Sequence, residues 1–422
     1  MKHRPEAAPS EALVIEASRV SPPSDQGREI RATLRDKRWS LREGAARILP
    51  KERVATCGFR TKTGSVDIRH GDHGASVGGL HTCGSVWHCP VCAVKVAERR
   101  RADVEELMTA AMQAKHHAFS GALTMPHHRF QTAEVLRTAI SLAFQKLQAG
   151  APWLRMKQGA NFVGWVRALE VTHGRNGWHP HIHLVAMFAA GTPIEKIEAF
   201  GVLLFERWSR IIASMGFGEC NPEVWQWEPL RNAVEAGDYL VKWGADRELT
   251  YAHMKIAKGG GRSPWQLLED AMNGDRQAAA LFREYALAFK GARQLTYSRG
   301  FREVYGLREA LDDVEAASCD EVEERNPVIA TLTRKTWHAL RSRRLVPALL
   351  RAVEACPAWE TIRDFLKRWG IVPDGQDGSP PRPGGVCGVP DGGGVEVAGS
   401  SGRPARNPDT TGGSQSGNDR PD

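Results

Sequence analysis

The sequence predicts an α+β protein in which helices pack on one side of a central antiparallel sheet. Two runs rich in apolar and β-branched residues, 162–171 and 178–185, are separated by turn-forming residues and predict a pair of antiparallel strands. Segments with the apolar spacing of amphipathic helices, 132–148 and 194–215, flank this pair. From residue 117 onward, the elements follow the order β-α-β-β-α-β-α.

The elements before the strand pair follow an N-terminal segment that mixes charge and proline, of which the first 25 residues are expected to be flexible. A helix begins near Val91 and exposes residues 98–101. A strand over 117–125 ends at Pro126, because proline cannot donate a hydrogen bond to a neighbouring strand.

The elements after the strand pair begin with a strand over 223–227, which leads into a helix that carries Tyr239. Residues 264–290 and 328–369 have apolar spacing typical of helices. From about residue 372, the chain consists mainly of Pro, Gly, Ser and Asp and is expected to be disordered.

Three histidines in the second strand of the pair carry the strongest chemical signal. His179, His181 and His183 alternate with apolar residues, so all three lie on one face of the strand. Imidazoles on a buried face are costly to desolvate unless something binds them. A divalent metal is the favoured interpretation, and histidines paired with polar groups at a sheet edge are the structural alternative.

The facing strand supplies a carboxylate to the same face. If the chain folds back about the Arg175–Asn176 bond, Glu170 lies opposite His181, and Ala168 lies opposite His183. One carboxylate and two imidazoles would then converge, a ligand set that suits Mg²⁺ or Mn²⁺. His179 is a third imidazole, which leaves open which two histidines bind the metal.

A nucleophile is predicted on the helix around residue 239. Glu235, Tyr239 and Lys242 have the spacing i, i+4 and i+7 and share one helix face. Tyrosine is a covalent nucleophile when a cation stabilises its phenolate, and Lys242 is such a cation. Glu235 could activate water, a role for which Asp238 competes. The alternative is a solvated helix face.

Four cysteines predict a structural zinc site. Cys89 and Cys92 form a Cys-x-x-Cys pair, and Cys57 and Cys83 supply the other two thiolates. His81 or His88 could replace Cys57 as a ligand. A redox dithiol is disfavoured because no thioredoxin-like context surrounds the pair.

The charge balance favours a polyanionic partner. The formal net charge is +8 and the pI is about 9.1. Arg99, Arg100 and Arg101 are candidates to contact phosphates, and Trp178 is a candidate to stack on an unpaired base, although solvated faces and core packing are the alternatives. No segment reaches the roughly 20 apolar residues of a membrane span, and no secretion signal is apparent.

These motifs together carry a family resemblance. Leu123-Thr124-Met125-Pro126-His127, Glu170, His179-Pro180-His181-Ile182-His183 and Glu235-x-x-x-Tyr239-x-x-Lys242 resemble the HUH endonucleases, above all the single-tyrosine replication initiators (Rep proteins) of rolling-circle plasmids. The cysteine-rich segment 83–92 is similar to one that precedes the catalytic region in many of these proteins. The resemblance covers roughly residues 55–305.

The resemblance implies a nicking and joining reaction on plasmid origin DNA, single-stranded or cruciform. A metal held by His181, His183 and Glu170 polarises a phosphodiester, and Tyr239 attacks it. A 5′-phosphotyrosyl intermediate forms, and the free 3′-OH primes a host DNA polymerase. Glu235 matches the residue that directs water at a second, terminating cleavage. A host helicase and a bacterial cytoplasmic location are also implied.

Composition, motifs and the resemblance together divide the chain into regions. The expected regions are a partly flexible N-terminal segment (1–50), a cysteine-rich zinc segment (51–104), an HUH catalytic domain (105–310), a helical C-terminal region (311–370) and a disordered tail (371–422).

Three alternatives stay open: a single-tyrosine transposase or mobilisation relaxase, a non-catalytic zinc-stabilised DNA-binding protein, and a phosphoesterase that uses metal-bound water.

Overall fold

The computed structural model describes residues 25–71, 74–241, 261–318 and 326–378. The helices of this part of the chain are α1 (Asp25–Ile48), α2 (Pro90–Gln113), α3 (Ala133–Leu147), α4 (Gly150–Gly159), α5 (Ile194–Ser214), α6 (Ala233–Leu240), α7 (Pro264–Met272), α8 (Arg276–Phe289), α9 (Asp313–Ser318), α10 (Arg334–Ser342), α11 (Val346–Ala355) and α12 (Trp359–Arg368). Its strands are β1 (Ser65–Gly71), β2 (Gly74–Gly78), β3 (His117–Leu123), β4 (Phe162–Gly174), β5 (Gly177–Phe188), β6 (Trp227–Pro229), β7 (Leu295–Tyr297) and β8 (Val328–Thr333).

A five-stranded antiparallel sheet forms the centre of the fold, with the strand order β6-β3-β5-β4-β7. The predicted α+β class with an antiparallel sheet is therefore confirmed. Its longest pairing joins β4 to β5, and the turn between them lies at Arg175 and Asn176, as the sequence predicts. Gly177, the first residue of β5, has φ +84°, a backbone conformation that glycine adopts without strain.

Helices cover both faces of this sheet, so the expectation of a single covered face is wrong. Phe144 of α3 packs edge-on against Trp165 with ring centroids 5.0 Å apart, and the guanidinium of Arg167 lies 4.7 Å from the centre of the Phe144 ring. Tyr239 of α6 packs against His183. Arg167 and His183 point to opposite faces because Ala168, the next residue, is the one paired with His183.

Between residues 117 and 290, most elements lie close to where the sequence predicts them, with three differences in that range. The helix expected over 264–290 is two helices, because Asp275 caps a new N-terminus at α8. The strand expected at 223–227 begins at Trp227, since a 3-10 turn occupies Pro222–Val224. The helix α4 was not expected.

A second sheet, with the order β2-β1-β8, lies outside the central one. Strand β8 falls in the region expected to be only helical, and it pairs antiparallel with β1, so that Asp67 faces Thr331. Helices α10, α11 and α12 cover this sheet, and Trp337 lies fully buried between them and the strands. Residues that are far apart in the sequence therefore share one small core.

The N-terminal segment also contains an ordered helix. Helix α1 covers much of the region expected to be partly flexible, and Arg42 in it donates hydrogen bonds to the backbone oxygens of Val54 and Ala55. Residues 1–24 and 379–422 lie outside the described part of the chain. Within the described residues, every helix is too short or too polar to cross a bilayer.

Candidate functional site

One carboxylate and two imidazoles meet on one face of the β4–β5 hairpin. Glu170 pairs with His181 across the two strands, and Ala168 pairs with His183, which is the register that the sequence predicts. The Oε2 atom of Glu170 lies 3.0 Å from Nε2 of His181 and 3.0 Å from Nε2 of His183. The two imidazole nitrogens are 3.1 Å apart. Three possible ligand atoms thus form a nearly equilateral triangle.

The triangle fits a hexacoordinate cation. Ligands at about 2.1 Å on one face of an octahedron, the distance typical of Mg²⁺, are about 3.0 Å from each other. Hydrogen bonds alone satisfy these atoms poorly. If both His181 and His183 donated to Oε2 of Glu170, their two N–H groups would lie 3.1 Å apart and repel each other. In the described part of the chain, the buried Oε1 of Glu170 and Nδ1 of His183 also have no hydrogen-bond partner.

The surroundings set the ionisation of Glu170 and favour one tautomer of His181. Burial acts to raise the pKa of Glu170, but His183 and His181 outweigh it and hold that pKa well below its usual range. The carboxylate is therefore ionised at neutral pH. Nδ1 of His181 lies 3.4 Å from the backbone oxygen of His179, an arrangement that favours a proton on Nδ1 and a lone pair on Nε2.

Tyr239 lies against this group. Its ring centre is 4.9 Å from that of His183, and the two ring planes are inclined by 87°. Burial raises the pKa of Tyr239, and the negative charges of Glu170 and Glu228 raise it further. The phenol is therefore protonated at neutral pH and lies within electrostatic range of Glu170. Tyr239 is positioned by helix α6. The N-terminus of this helix is stabilised by Asn232, whose Oδ1 atom accepts a hydrogen bond from the backbone N–H of Glu235.

The two carboxylates near Tyr239 differ in their partners. Glu235 is exposed, and its Oε2 accepts a hydrogen bond of 2.8 Å from the backbone N–H of Arg231. Asp238 forms an ion pair with Arg101 of α2. Lys242, the third residue of the predicted helix face, lies outside the described residues.

The third histidine of the strand has a different partner, which the sequence reasoning did not identify. Nδ1 of His179 lies 2.8 Å from Nε2 of His127, and Nδ1 of His127 lies 3.0 Å from the backbone oxygen of Asn176. The atoms that converge are a carboxylate oxygen of Glu170 and ring nitrogens of His181 and His183, and His179 is not in that group. The position of His127 just after the strand β3, the neighbour of β5, is the signal that could have located it.

The residues expected to contact nucleic acid are engaged inside the protein. Trp178 is 2% exposed and stacks on Tyr285, so it is not accessible to a base, and its predicted role is wrong. Arg100 is also buried and pairs with Asp103 and Asp313. Arg100 therefore links α2 to α9 through Asp313.

The other two arginines of the basic run are likewise ion-paired. Arg99 pairs with Asp103, and Arg101 pairs with Asp238 and donates to the backbone oxygen of Val241. Arg101 thus attaches the helix of Tyr239 to α2. The expectation that residues 98–101 form a solvated face is wrong for Arg100, because Asp313, which is distant in the sequence, pairs with it.

Four buried cysteines form a second possible metal centre. Cys57, Cys83, Cys89 and Cys92 are all within 5% exposure, and their sulfur atoms lie within 4.8 Å of one another. The Cys57–Cys92, Cys83–Cys92 and Cys57–Cys89 separations are 3.5, 3.6 and 3.7 Å. A tetrahedral zinc ion with Zn–S bonds of about 2.3 Å requires sulfur atoms about 3.8 Å apart.

The structure favours Cys57 over His88 as the fourth member of the cysteine group. Cys57 is a member of the group, whereas Nε2 of His88 lies 2.7 Å from the backbone oxygen of Ala286. The group joins the end of a 3-10 turn, the loop after β2 and the start of α2. It could hold a metal such as zinc.

Comparisons with known proteins agree with these features. Residues 77–193 match the family model of a replication protein. The chain is 27% identical over 347 residues to Protein rep of Streptomyces lividans, an alignment that covers 65% of this chain and 76% of that protein. It is 29% identical over 145 residues to a Neomycin resistance protein of Streptomyces cyanogenus, covering 28% of this chain and 33% of that protein. No solved structure gives a significant match.

The segment that matches the family model contains Glu170 and the histidines of β5, together with three of the four clustered cysteines. The similarity to Protein rep extends well beyond that segment and covers most of both chains. These similarities support a rolling-circle plasmid Rep family of replication proteins for this chain.

Proposed function

We propose that the protein initiates plasmid replication by nicking and rejoining one strand of the origin DNA, with Tyr239 as the nucleophile. The observation that carries this proposal is the packing of the Tyr239 ring against His183, 4.9 Å away, beside the convergent atoms of Glu170, His181 and His183. A nucleophile beside a candidate cation site is the arrangement that phosphodiester transfer requires.

The proposed step exchanges one ester for another. The phenol oxygen of Tyr239 forms a bond to the phosphorus, and the bond from that phosphorus to the 3′ oxygen of the preceding nucleotide breaks. The phenol loses its proton, and the departing oxygen gains one to become a 3′-OH. The downstream strand stays attached to Tyr239 by its 5′ phosphate, and the reverse reaction rejoins the DNA.

Glu170, His181 and His183 would hold Mg²⁺ or Mn²⁺. The ion would supply Lewis acidity at the phosphodiester. The pKa of Tyr239 is raised by burial, so its proton has to leave as the new bond forms. We assign to Lys242 the stabilisation of the developing phenolate.

The second, terminating cleavage is assigned to Glu235. Its carboxylate is exposed and one helical turn before Tyr239, so it is accessible to the water that it would direct. The ion pair between Asp238 and Arg101 supports Glu235 over Asp238 for this role, because it holds the Asp238 carboxylate against α2.

The remaining assignments concern structure and partners. Cys57, Cys83, Cys89 and Cys92 would hold a zinc ion with a structural role. A host helicase would separate the strands, and a host DNA polymerase would extend the 3′-OH, in the cytoplasm of the bacterial host. These partners follow from the proposed reaction, which produces a primer end.

Cleavage of a single-stranded oligonucleotide that carries the plasmid origin tests the proposal. With Mn²⁺ or Mg²⁺, the wild-type protein should cut the strand, and Tyr239→Phe should not. Tyr305→Phe is the control, because this tyrosine bonds to His116 through its hydroxyl and lies outside the candidate site.

Other outcomes identify the alternatives. Persistent cutting by Tyr239→Phe would point to hydrolysis by metal-bound water. No cutting by the wild-type protein, with the oligonucleotide still bound, would point to a non-catalytic DNA-binding protein. Transfer of the cut end into an unrelated strand would favour a transposase.

A further inference from the structure

The loop after β3 ends in a turn that presents an aromatic ring to solvent. The N–H of His128 donates to the side-chain oxygen of Gln131 (2.9 Å), and the N–H of Gln131 donates to the backbone oxygen of His128 (3.0 Å). These two bonds close the turn and hold Arg129 and Phe130 at its tip. Phe130 is 77% exposed. Single exposed apolar side chains are common, so exposure alone indicates nothing.

The neighbours of Phe130 distinguish it from an incidental surface residue. The guanidinium of Arg129 lies over the Phe130 ring, 4.7 Å from its centre, and the His128 ring is 6.2 Å away. In the part of the chain that the structure describes, Arg129 makes no ion pair with a carboxylate. An open aromatic face next to an unpaired cation is the combination with which proteins hold single-stranded nucleic acids.

The turn is anchored to the hairpin that carries the candidate site. The backbone of Arg129 packs so closely on Gly177 that a Cβ atom at Gly177 would lie 2.9 Å from Cα of Arg129. His127 reaches from the same loop to the backbone oxygen of Asn176 and to the ring of His179. The tip is therefore fixed relative to the strand that carries His181 and His183.

We propose that the turn 128–131 is a platform on which one unpaired base of the DNA strand stacks, near the nucleotide that is cut. Phe130 provides the stacking surface, and Arg129 neutralises an adjacent phosphate. The inference rests on the proposed function, since that function makes a single strand the substrate. It assigns the contact with single-stranded DNA to this loop rather than to Trp178 or to the basic run of α2.

Equilibrium binding to two probes of equal length and charge tests the platform. One probe is oligo(dT), and the other is the same strand with every base removed. Phe130→Ala should weaken binding to oligo(dT) about tenfold, the loss expected for one stacked base. It should leave binding to the abasic strand unchanged, because only the base contacts the ring. Phe130→Trp should restore the affinity, and binding of oligo(dT) should quench its added fluorescence.

The control is Trp369→Ala, which removes another exposed aromatic side chain, distant in the sequence from the loop. It should change neither affinity. Unchanged binding of oligo(dT) to Phe130→Ala would overturn the platform. Equal losses for both probes would overturn it too, since they would indicate a distorted loop.

The same measurements separate this inference from the proposed function. If the wild-type protein binds and cuts origin DNA but Phe130→Ala behaves identically, only the platform is wrong. If the wild-type protein binds neither probe, the platform and the proposed single-strand chemistry fail together. Salt titrations add an independent readout, because Arg129→Gln should reduce the slope of log affinity against log salt by about one phosphate contact.

Discussion

At the scale of single residues, the three histidines of β5 have different environments although they share one face. His181 and His183 direct their Nε2 atoms at Glu170, whereas His179 is bonded to His127. Burial and the neighbouring His181 and His127 lower the pKa of His179 to about 4, so it is neutral at physiological pH. Equal spacing in the sequence therefore does not imply equal roles.

This difference predicts different effects of alanine substitutions. His181→Ala or His183→Ala should reduce cleavage by about a hundredfold or more, because each removes a ligand of the candidate cation site. His179→Ala should reduce it far less. Rates of oligonucleotide cleavage at saturating Mn²⁺ measure both effects. Equal losses in all three variants would contradict the ligand assignment, provided that DNA binding and thermal stability are retained.

The two carboxylates of α6 give a second prediction. Glu235→Gln should keep the first nick but slow release of the covalently held strand, since the residue that directs water is lost. Asp238→Asn is the matched control and should release the strand normally. Pulse-chase labelling of the protein-bound strand measures the release. Normal release from Glu235→Gln, with slow release from Asp238→Asn, would reverse the assignment.

At the scale of elements, the β4–β5 hairpin determines where the site forms. A shift of register by one residue would move the histidines to the other face of the sheet, so the turn must be placed correctly. The turn formers at 173–177 and the alternation of histidines with apolar residues were sufficient to predict this register. Both signals are local, which is why the sequence was informative here.

Gly177 is the point of the hairpin most sensitive to substitution. Gly177→Ala should destabilise the protein by about 1–3 kcal/mol, because φ is +84° and the new Cβ would meet the backbone of Arg129. Gly216→Ala is the matched control, with φ +86° and nothing within 4 Å of the added Cβ. Urea unfolding of both variants measures the difference. Equal destabilisation would show that the close approach to Arg129 is not costly.

At the scale of the whole molecule, contacts between distant segments set what the sequence could not reveal. Asp67 and Thr331 face each other across β1 and β8 although they are 264 positions apart. The burial of Arg100 depends on Asp313, and that of Trp178 on Tyr285. Composition and periodicity carry no signal for such pairings. From the sequence alone, the arginine run of α2 and Trp178 are therefore candidates for contact with DNA.

The cysteine cluster also acts at this scale, because it joins separate segments around the start of α2. The purified protein should contain about one zinc per chain, and Cys89→Ser should lose it and unfold at a lower temperature. Cys356→Ser is the control, since this cysteine is exposed and lies outside the cluster. Elemental analysis and thermal unfolding measure both effects. Full stability of Cys89→Ser without zinc would contradict a structural metal.

The central claim is that Tyr239 forms a covalent bond to DNA. Mass spectrometry of the protein after reaction with an origin oligonucleotide, followed by proteolysis, tests this claim directly. We expect the 3′ fragment of the oligonucleotide on the peptide that contains Tyr239, linked through its 5′ phosphate and missing from Tyr239→Phe. Cleavage with no adduct, or an adduct on a different residue, would contradict the account.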